Sequence, residues 1–241
     1  MIDMNGKVVL VTGAAGGIGA ATVAKIGALG GATVAHDLRE PGGGDLRLSG
    51  DLRDPEAARA LWSEAWVWRD GIDVLVNCAG IYRAAAIEAP FADWVESWRQ
   101  TLDINLLAPA VLCREAIVAM RARCGGIIVN IASRAAWRGD DAEYQHYAAS
   151  KAAVVAMTKT IARQYGRDGV TAYAVAPWFV NTPFNDALVA EYGLEFFADD
   201  TGLGEVAGPQ DLANVIVFLA SGLARHATGA TIDVNGASYV R

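Results

Sequence analysis

Val8-Val9-Leu10-Val11-Thr12-Gly13-Ala14-Ala15-Gly16-Gly17-Ile18-Gly19 is the stretch that decides the fold. Four consecutive apolar residues between Asn5-Gly6 and Thr12-Gly13 leave no polar face, so the strand they form must be covered on both sides. Glycines then turn the chain, and Ala20 to Gly30 reads as a helix stopped by Gly30-Gly31. The unit then repeats along the chain. Strand-like runs stand at Ala32–Ala35, Leu46–Ser49, Val74–Val76, Ile127–Val129, Ala172 to Val175 and Thr231–Val234. Asp54-Pro55 opens one helix with an N-cap and a first-turn proline, and helical patterns occupy roughly 91–123, 144–166 and 209–221. Between the second and third strands, Pro41-Gly42-Gly43-Gly44 predicts a loop where a crossover helix is expected. Strands alternating with helices predict an α/β fold, a doubly wound parallel sheet of about seven strands with helices on both faces. No linker divides 1–241, so a single domain is expected.

Composition narrows the function classes. The 241 residues are 53% hydrophobic and 20% charged, enough to bury one sizeable core. The net charge of −7 argues against nucleic acid and anionic membranes as partners, because both require a basic surface. No stretch reaches the ~18 apolar residues of a membrane span, and Met1 to Lys7 lacks a signal-peptide core. Cys78, Cys113 and Cys124 have neither metal nor redox spacing, and His36, His146 and His226 are scattered. The expectation is a reduced, cytoplasmic protein without a metal.

The glycine turn suits a phosphate-bearing ligand. Backbone at Gly13, Gly17 and Gly19 can approach a pyrophosphate closely, with unpaired N–H groups at the start of the following helix. A tight turn with close helix–strand packing would use the same glycines. Asp37, ending the second strand about 20 residues on, favours the ligand reading, because an acid there can hold both hydroxyls of a ribose. No Lys or Arg interrupts Gly13–Gly19 and Leu38 follows Asp37, so a 2′-phosphate would meet a carboxylate. NAD is therefore expected over NADP.

Tyr147-Ala148-Ala149-Ser150-Lys151 lies in a helical pattern, so Tyr147 and Lys151 share a face. A cation beside a phenol favours the phenolate and can bring its ionisation towards neutral pH. With these residues in view the chain resembles the short-chain dehydrogenases/reductases nearly end to end. The resemblance rests on Thr12-Gly-x-x-x-Gly17-x-Gly19, Gly50-Asp51-Leu52, Asn77-Cys78-Ala79-Gly80, Asn105, Ser133, Tyr147-x-x-x-Lys151 and Pro177 to Thr182. It implies a Rossmann-type sheet and a hydride transfer between nicotinamide and a secondary alcohol or ketone. Tyr147 is then the general acid/base, and Ser133 holds the substrate oxygen. Lys151 binds the nicotinamide ribose and lowers the Tyr147 pKa. Asn105 interrupts its helix and orders a proton-relay water. Gly13, Gly17, Ile18, Gly19 and Asp37, with Asp51, Leu52, Asn77, Ala79 and Gly80, fall to the adenosine half of the cofactor. Pro177, Val180 and Thr182 fall to the nicotinamide half. The last helix and strand imply a homo-oligomer, typically a tetramer.

Three features depart from that pattern. The segment between Asp37 and Asp51 is short, which should leave the adenine end open. One extra residue separates Ser133 from Tyr147, absorbed at Gly139-Asp140-Asp141. The family's Pro-Gly is Pro177-Trp178, and Trp178 is expected to point into the substrate pocket. Pocket candidates are Tyr82, Arg83, Trp137, Tyr144, Trp178, Phe179 and Phe184, with a substrate loop at roughly 181–208. Their aromatic character favours a hydrophobic or cyclic small-molecule substrate. Arg83, Arg134 and Arg138 could pair with a substrate carboxylate, although solvation is the commoner fate of such side chains. Trp62 and Trp66, one helical turn apart, read as packing residues. A dinucleotide-sensing protein without turnover and a halohydrin-dehalogenase-like lyase share the fold. Lys151 and the intact glycine turn disfavour the lyase, and the complete Asn105–Ser133–Tyr147–Lys151 set disfavours the sensor.

Overall fold

Successive side chains of β1 (Val8–Thr12) go to opposite faces of the sheet, and both faces are apolar. Val9 and Val11 enter one core layer with Val74, Val76, Val129 and Val175. Val8 and Leu10 enter the other with Val34, Leu75, Ile128 and Ala172. The structure, a computed structural model, describes residues 2–123 and 125–241; Met1 and Cys124, named in the sequence reading, lie outside the described residues.

After β1 come α1 (Gly17–Ala28), β2 (Ala32–Asp37), β3 (Leu46–Ser49), α2 (Pro55–Trp68), β4 (Val74–Asn77) and α3 (Phe91–Leu102). A π-helical turn (Asp103–Leu107) leads into α4 (Ala108–Ala122), β5 (Gly126–Ile131), α5 (Ala135–Arg138), α6 (Gln145–Tyr165) and β6 (Val170–Pro177). The chain closes with α7 (Asp186–Tyr192), α8 (Leu194–Asp199), α9 (Pro209–Ala220) and β7 (Thr231–Val234). The strands form one parallel sheet in the order β3-β2-β1-β4-β5-β6-β7. The order reverses between β1 and β4, and the crevice beyond their C-terminal ends is where open α/β sheets bind ligands.

Helices cover both layers. Val23 and Ile26 of α1 meet Leu212, Ile216 and Val217 of α9 on one face. On the other, Leu61, Trp62 and Ala65 of α2 pack with Leu112 and Met120 of α4 and Ile161 of α6. Trp62 is buried and its ring centroid lies 5.7 Å from that of Trp66, so both serve packing; truncating such a buried Trp to Ala costs about 3–5 kcal/mol. A buried polar chain crosses this layer. Asn77 Nδ2 donates to Asn130 Oδ1 (2.8 Å), and Asn130 Nδ2 donates to Thr158 Oγ1 (2.9 Å). These two buried hydrogen bonds tie β4, β5 and α6 together, while Asn77 Oδ1 has no partner among the described residues.

Two segments differ from the sequence expectation. The single helical pattern over 91–123 is two helices separated by the π turn that carries Asn105. The substrate segment is not plain loop but contains α7 and α8, a reading that short, Phe- and Ala-containing stretches do not force. Between β2 and β3 the chain runs as a loop, leaving a groove of about 380 Å³ lined by Ala20, Ala24 and Gly27 of α1 and by Gly42–Gly44. Among the described residues no helix is long and apolar enough to cross a membrane.

Candidate active site

Two glycines make the first turn possible. A Cβ on Gly13, whose φ is +72°, would stand 2.8 Å from Ala79 Cα, and one on Gly19 would stand 2.1 Å from the Gly13 carbonyl oxygen. Backbone therefore packs on backbone here, and any side chain would push β1, β4 and α1 apart. Helix α1 starts without a side-chain cap or a first-turn acid, so its leading N–H groups are free for an anion. Ile18 is half-buried against the core. Asp37 is aimed across this turn, its Oδ2 accepting from Ala15 N (3.0 Å) and its Oδ1 from Leu38 N (2.7 Å). Thr12 closes the opposite side, its Oγ1 accepting from Cys78 N and Ala79 N, both at 3.1 Å.

The remaining adenosine-half candidates divide. Asp51 is bound by Arg53, whose Nε donates to its Oδ2 at 2.8 Å, and this pairing holds the Asp51 carboxyl below its ordinary range. Leu52 is buried in the core layer beside α2. Asn77 is spent on the polar chain to Asn130, so its role here is to support the strand.

Tyr147 and Lys151 share a face of α6, with Lys151 Nζ 5.7 Å from the Tyr147 ring centroid. The ammonium donates to the Ile131 carbonyl at 2.8 Å. Burial lowers the Lys151 pKa to about 8, and burial raises that of Tyr147 to about 12. A hydrogen bond from Ser133 works against that rise and the charge of Asp140 adds to it. The expected acidic phenol is therefore not what this arrangement gives. The ammonium is turned to a backbone oxygen and desolvation dominates the phenol. Ser133, just beyond β5, is buried, and its Oγ accepts from Ala135 N at 3.1 Å.

Asn105 sits on the π turn, buried, with Nδ2 donating to Ile81 O (2.9 Å) and Oδ1 accepting from Ile81 N (2.8 Å). Gly80 lies between the two polar groups: a Cβ there would be 3.3 Å from Asn105 Oδ1 and 3.6 Å from Lys151 Nζ. Thr182 is buried against the glycine turn, its Cγ2 3.2 Å from where a Gly17 Cβ would be. Pro177 ends β6, and Val180 pairs as a β-bridge with Ala207.

Of the pocket candidates, three gather at Tyr147. Tyr82 stacks on Tyr144 (centroids 3.9 Å, planes 2° apart), meets the Tyr147 ring edge-on at 4.7 Å, and has Phe184 at 6.5 Å. The others are placed elsewhere. Arg83 is exposed, its Nη1 donating to Gln100 Oε1 at 3.2 Å. Trp137 packs on the small core patch of Ala132, Val155 and Ala174, with the Arg241 guanidinium 3.8 Å from its ring centroid. Trp178 is half-buried beneath Arg134 and is edge-on to Phe179, itself buried. Arg134 is neither solvated nor free for a substrate, because it is buried and paired with Asp200. His146, buried against Trp98, faces away from the site, and burial lowers its pKa.

One residue of the site escaped the sequence reading. Asp140, in the extra-residue loop, accepts from the Tyr82 hydroxyl at 3.2 Å, and burial raises its carboxyl pKa. The only sequence signal was the spacing from Ser133 to Tyr147.

Comparisons with known proteins identify the family. A family profile described as "Enoyl-(Acyl carrier protein) reductase" matches residues 13–237. The chain is 33% identical over 260 residues to 3beta-hydroxysteroid dehydrogenase 1 of Eggerthella lenta, covering 97% of this chain and 94% of that protein. Among solved structures it superposes on the aldohexose dehydrogenase of Thermoplasma acidophilum with a TM-score of 0.91 at 29% identity, covering 100% and 96% of the two chains. A candidate NAD(P)-dependent gluconate 5-dehydrogenase from Beutenbergia cavernae, holding NADP at low occupancy, gives a TM-score of 0.88 at 34% identity over 98% and 97%. The sheet order agrees with these matches, and the chain belongs to the short-chain dehydrogenase/reductase family, oxidoreductases acting on alcohol and ketone groups.

Proposed function

We propose that this protein transfers a hydride between NAD(H) and a hydrophobic or cyclic secondary alcohol or ketone. The observation that carries the reading is the Tyr147 ring set edge-on to the Tyr82–Tyr144 stack, with Ser133 near enough to its hydroxyl to favour the ionised phenol. Two hydroxyls on one side of a carbonyl oxygen stabilise the charge it gains in reduction. The aromatic wall supplies apolar surface for a ring.

The residues present fit a dinucleotide. Gly13, Gly17, Ile18 and Gly19 with the free N–H groups of α1 would hold the pyrophosphate, Asp37 the adenosine ribose, and Lys151 the nicotinamide ribose. Nicotinamide, when bound, supplies or takes the hydride. Tyr147 would give its phenolic proton to the substrate oxygen in reduction, or take the hydroxyl proton in oxidation. Ser133 would hold that oxygen, and Asn105 would hold Gly80-Ile81 beside Lys151. The carboxylate of Asp37 supports NAD over NADP, since a 2′-phosphate would oppose it. NADP in the Beutenbergia protein makes the direct titration of both coenzymes the necessary comparison. By the same reading the enzyme is a homotetramer, supported by family resemblance and checked by light scattering, and it works in the cytoplasm, supported by cysteines without disulfide or metal spacing.

The test pairs native protein with Tyr147→Phe. Native protein should turn over cyclic secondary alcohols with NAD, read by NADH absorbance. The variant should lose at least about a hundredfold in kcat, the scale of acid–base assistance, and keep its NADH affinity. Unchanged turnover in Tyr147→Phe would overturn the reading.

A further inference from the structure

Arg134 follows Ser133 directly and is 1% exposed, the largest side chain so fully buried among the described residues. Its neighbours come from three segments that are far apart in sequence. Its backbone N–H donates to Pro177 O at 2.9 Å, tying the chain beyond β5 to the end of β6. Its guanidinium carbon lies 3.0 Å from the Trp178 ring centroid. Its Nη1 is 2.6 Å from Asp200 Oδ2, at the end of α8, and donates to Ser238 O (3.2 Å) near the C-terminus.

The Asp200 end of the substrate segment is fastened at further points. Gly202 N donates to Gly236 O at 2.7 Å. Phe197 of α8 stacks on Phe179 at 3.7 Å and lies 6.4 Å from Trp178. The whole of 178–200 thus leaves β6 over Trp178 and returns to Arg134.

We propose that Arg134 is a positioning residue that clasps the substrate segment 181–208 over the Ser133–Tyr147 pair, with Trp178 as the face it lies on and Asp200 as its counter-ion. This explains why tryptophan replaces glycine after Pro177. A planar guanidinium taken from water needs a flat ring beneath it as well as a carboxylate beside it, and glycine offers no ring. One side chain then links the backbone carrying Ser133 to the segment carrying Phe184. Loss of the clasp loosens both together.

The proposal uses the substrate reading above for its kinetic arm, but its structural arm does not depend on turnover. Asp200→Asn keeps the shape and removes the charge, Asp200→Glu restores the charge, and Trp178→Gly removes the face. Hydrogen exchange of the α7 and α8 amides should quicken about tenfold or more in Asp200→Asn and Trp178→Gly, and return towards native in Asp200→Glu. In turnover, KM for the alcohol should rise about tenfold with kcat changed less than about threefold, the pattern of lost substrate positioning. NADH affinity should hold. Arg134→Met removes the clasp outright; if it fails to fold, the two other sites still decide. Native exchange rates in both Asp200→Asn and Trp178→Gly would overturn the proposal even in an active enzyme. Faster exchange in a protein that turns over no alcohol would keep the clasp and discard the substrate reading.

Discussion

Asn105 and Ile81 exchange a pair of hydrogen bonds, Ile81 N onto Asn105 Oδ1 at 2.8 Å and Asn105 Nδ2 onto Ile81 O at 2.9 Å. The side chain thus acts as a strand neighbour for the loop after β4, and the π turn between α3 and α4 brings it within reach. Asn105→Asp keeps the size but sets a carboxylate oxygen against the Ile81 carbonyl. Denaturant titration should show a loss of about 1–3 kcal/mol, the cost of an unmatched buried polar group. Turnover should fall further than stability predicts, because Gly80 would no longer be held beside Lys151.

Coenzyme choice should follow Asp37. In Asp37→Ser the carboxylate facing Ala15 N is lost, and with it the repulsion of a 2′-phosphate. The NADH-to-NADPH preference, measured as the ratio of kcat/KM values, should fall about tenfold or more, one charge-assisted hydrogen bond being worth about 1.5–3 kcal/mol. A ratio unmoved by the substitution would place the ribose elsewhere.

Burial is the main cause of the raised Tyr147 pKa, and Asp140 should add to it. Its negative charge helps to raise the Tyr147 pKa, so Asp140→Asn should lower it. In alcohol oxidation, where the phenolate takes the proton, the rising limb should move to lower pH. The groups facing Tyr147 are Ser133 and the Tyr82 edge from other elements and Lys151 from α6 itself, and none is substituted in this variant. A limb at the native position would remove Asp140 from the proton chemistry.

Folding stability should depend on pH through His36. Burial in β2 lowers its pKa from 6.5 to about 4, with Asp37 opposing weakly. The unfolded chain binds this proton first as pH falls, so stability present above pH 6.5 is lost progressively down to about 4, by up to about 3 kcal/mol. His36→Phe should flatten thermal midpoints across that range. A native-like slope in the variant would assign the effect to other groups.

The sequence by itself determined the seven strands, their alternation with helices and the chemistry brought to one edge. Val8–Val11 has no polar face and glycines punctuate the turn that follows it, so local pattern was enough for both. Tertiary structure alone decided what the long side chains do. Arg134 looked like a surface cation until Trp178, Asp200 and Ser238 closed around it from three distant segments. Tyr82, Tyr144 and Asp140 became one cluster through contacts that sequence spacing cannot encode. The Tyr147 phenol shows the same division. Its position was legible from a helical i, i+4 pair, but its ionisation depends on burial, a property of everything packed around it.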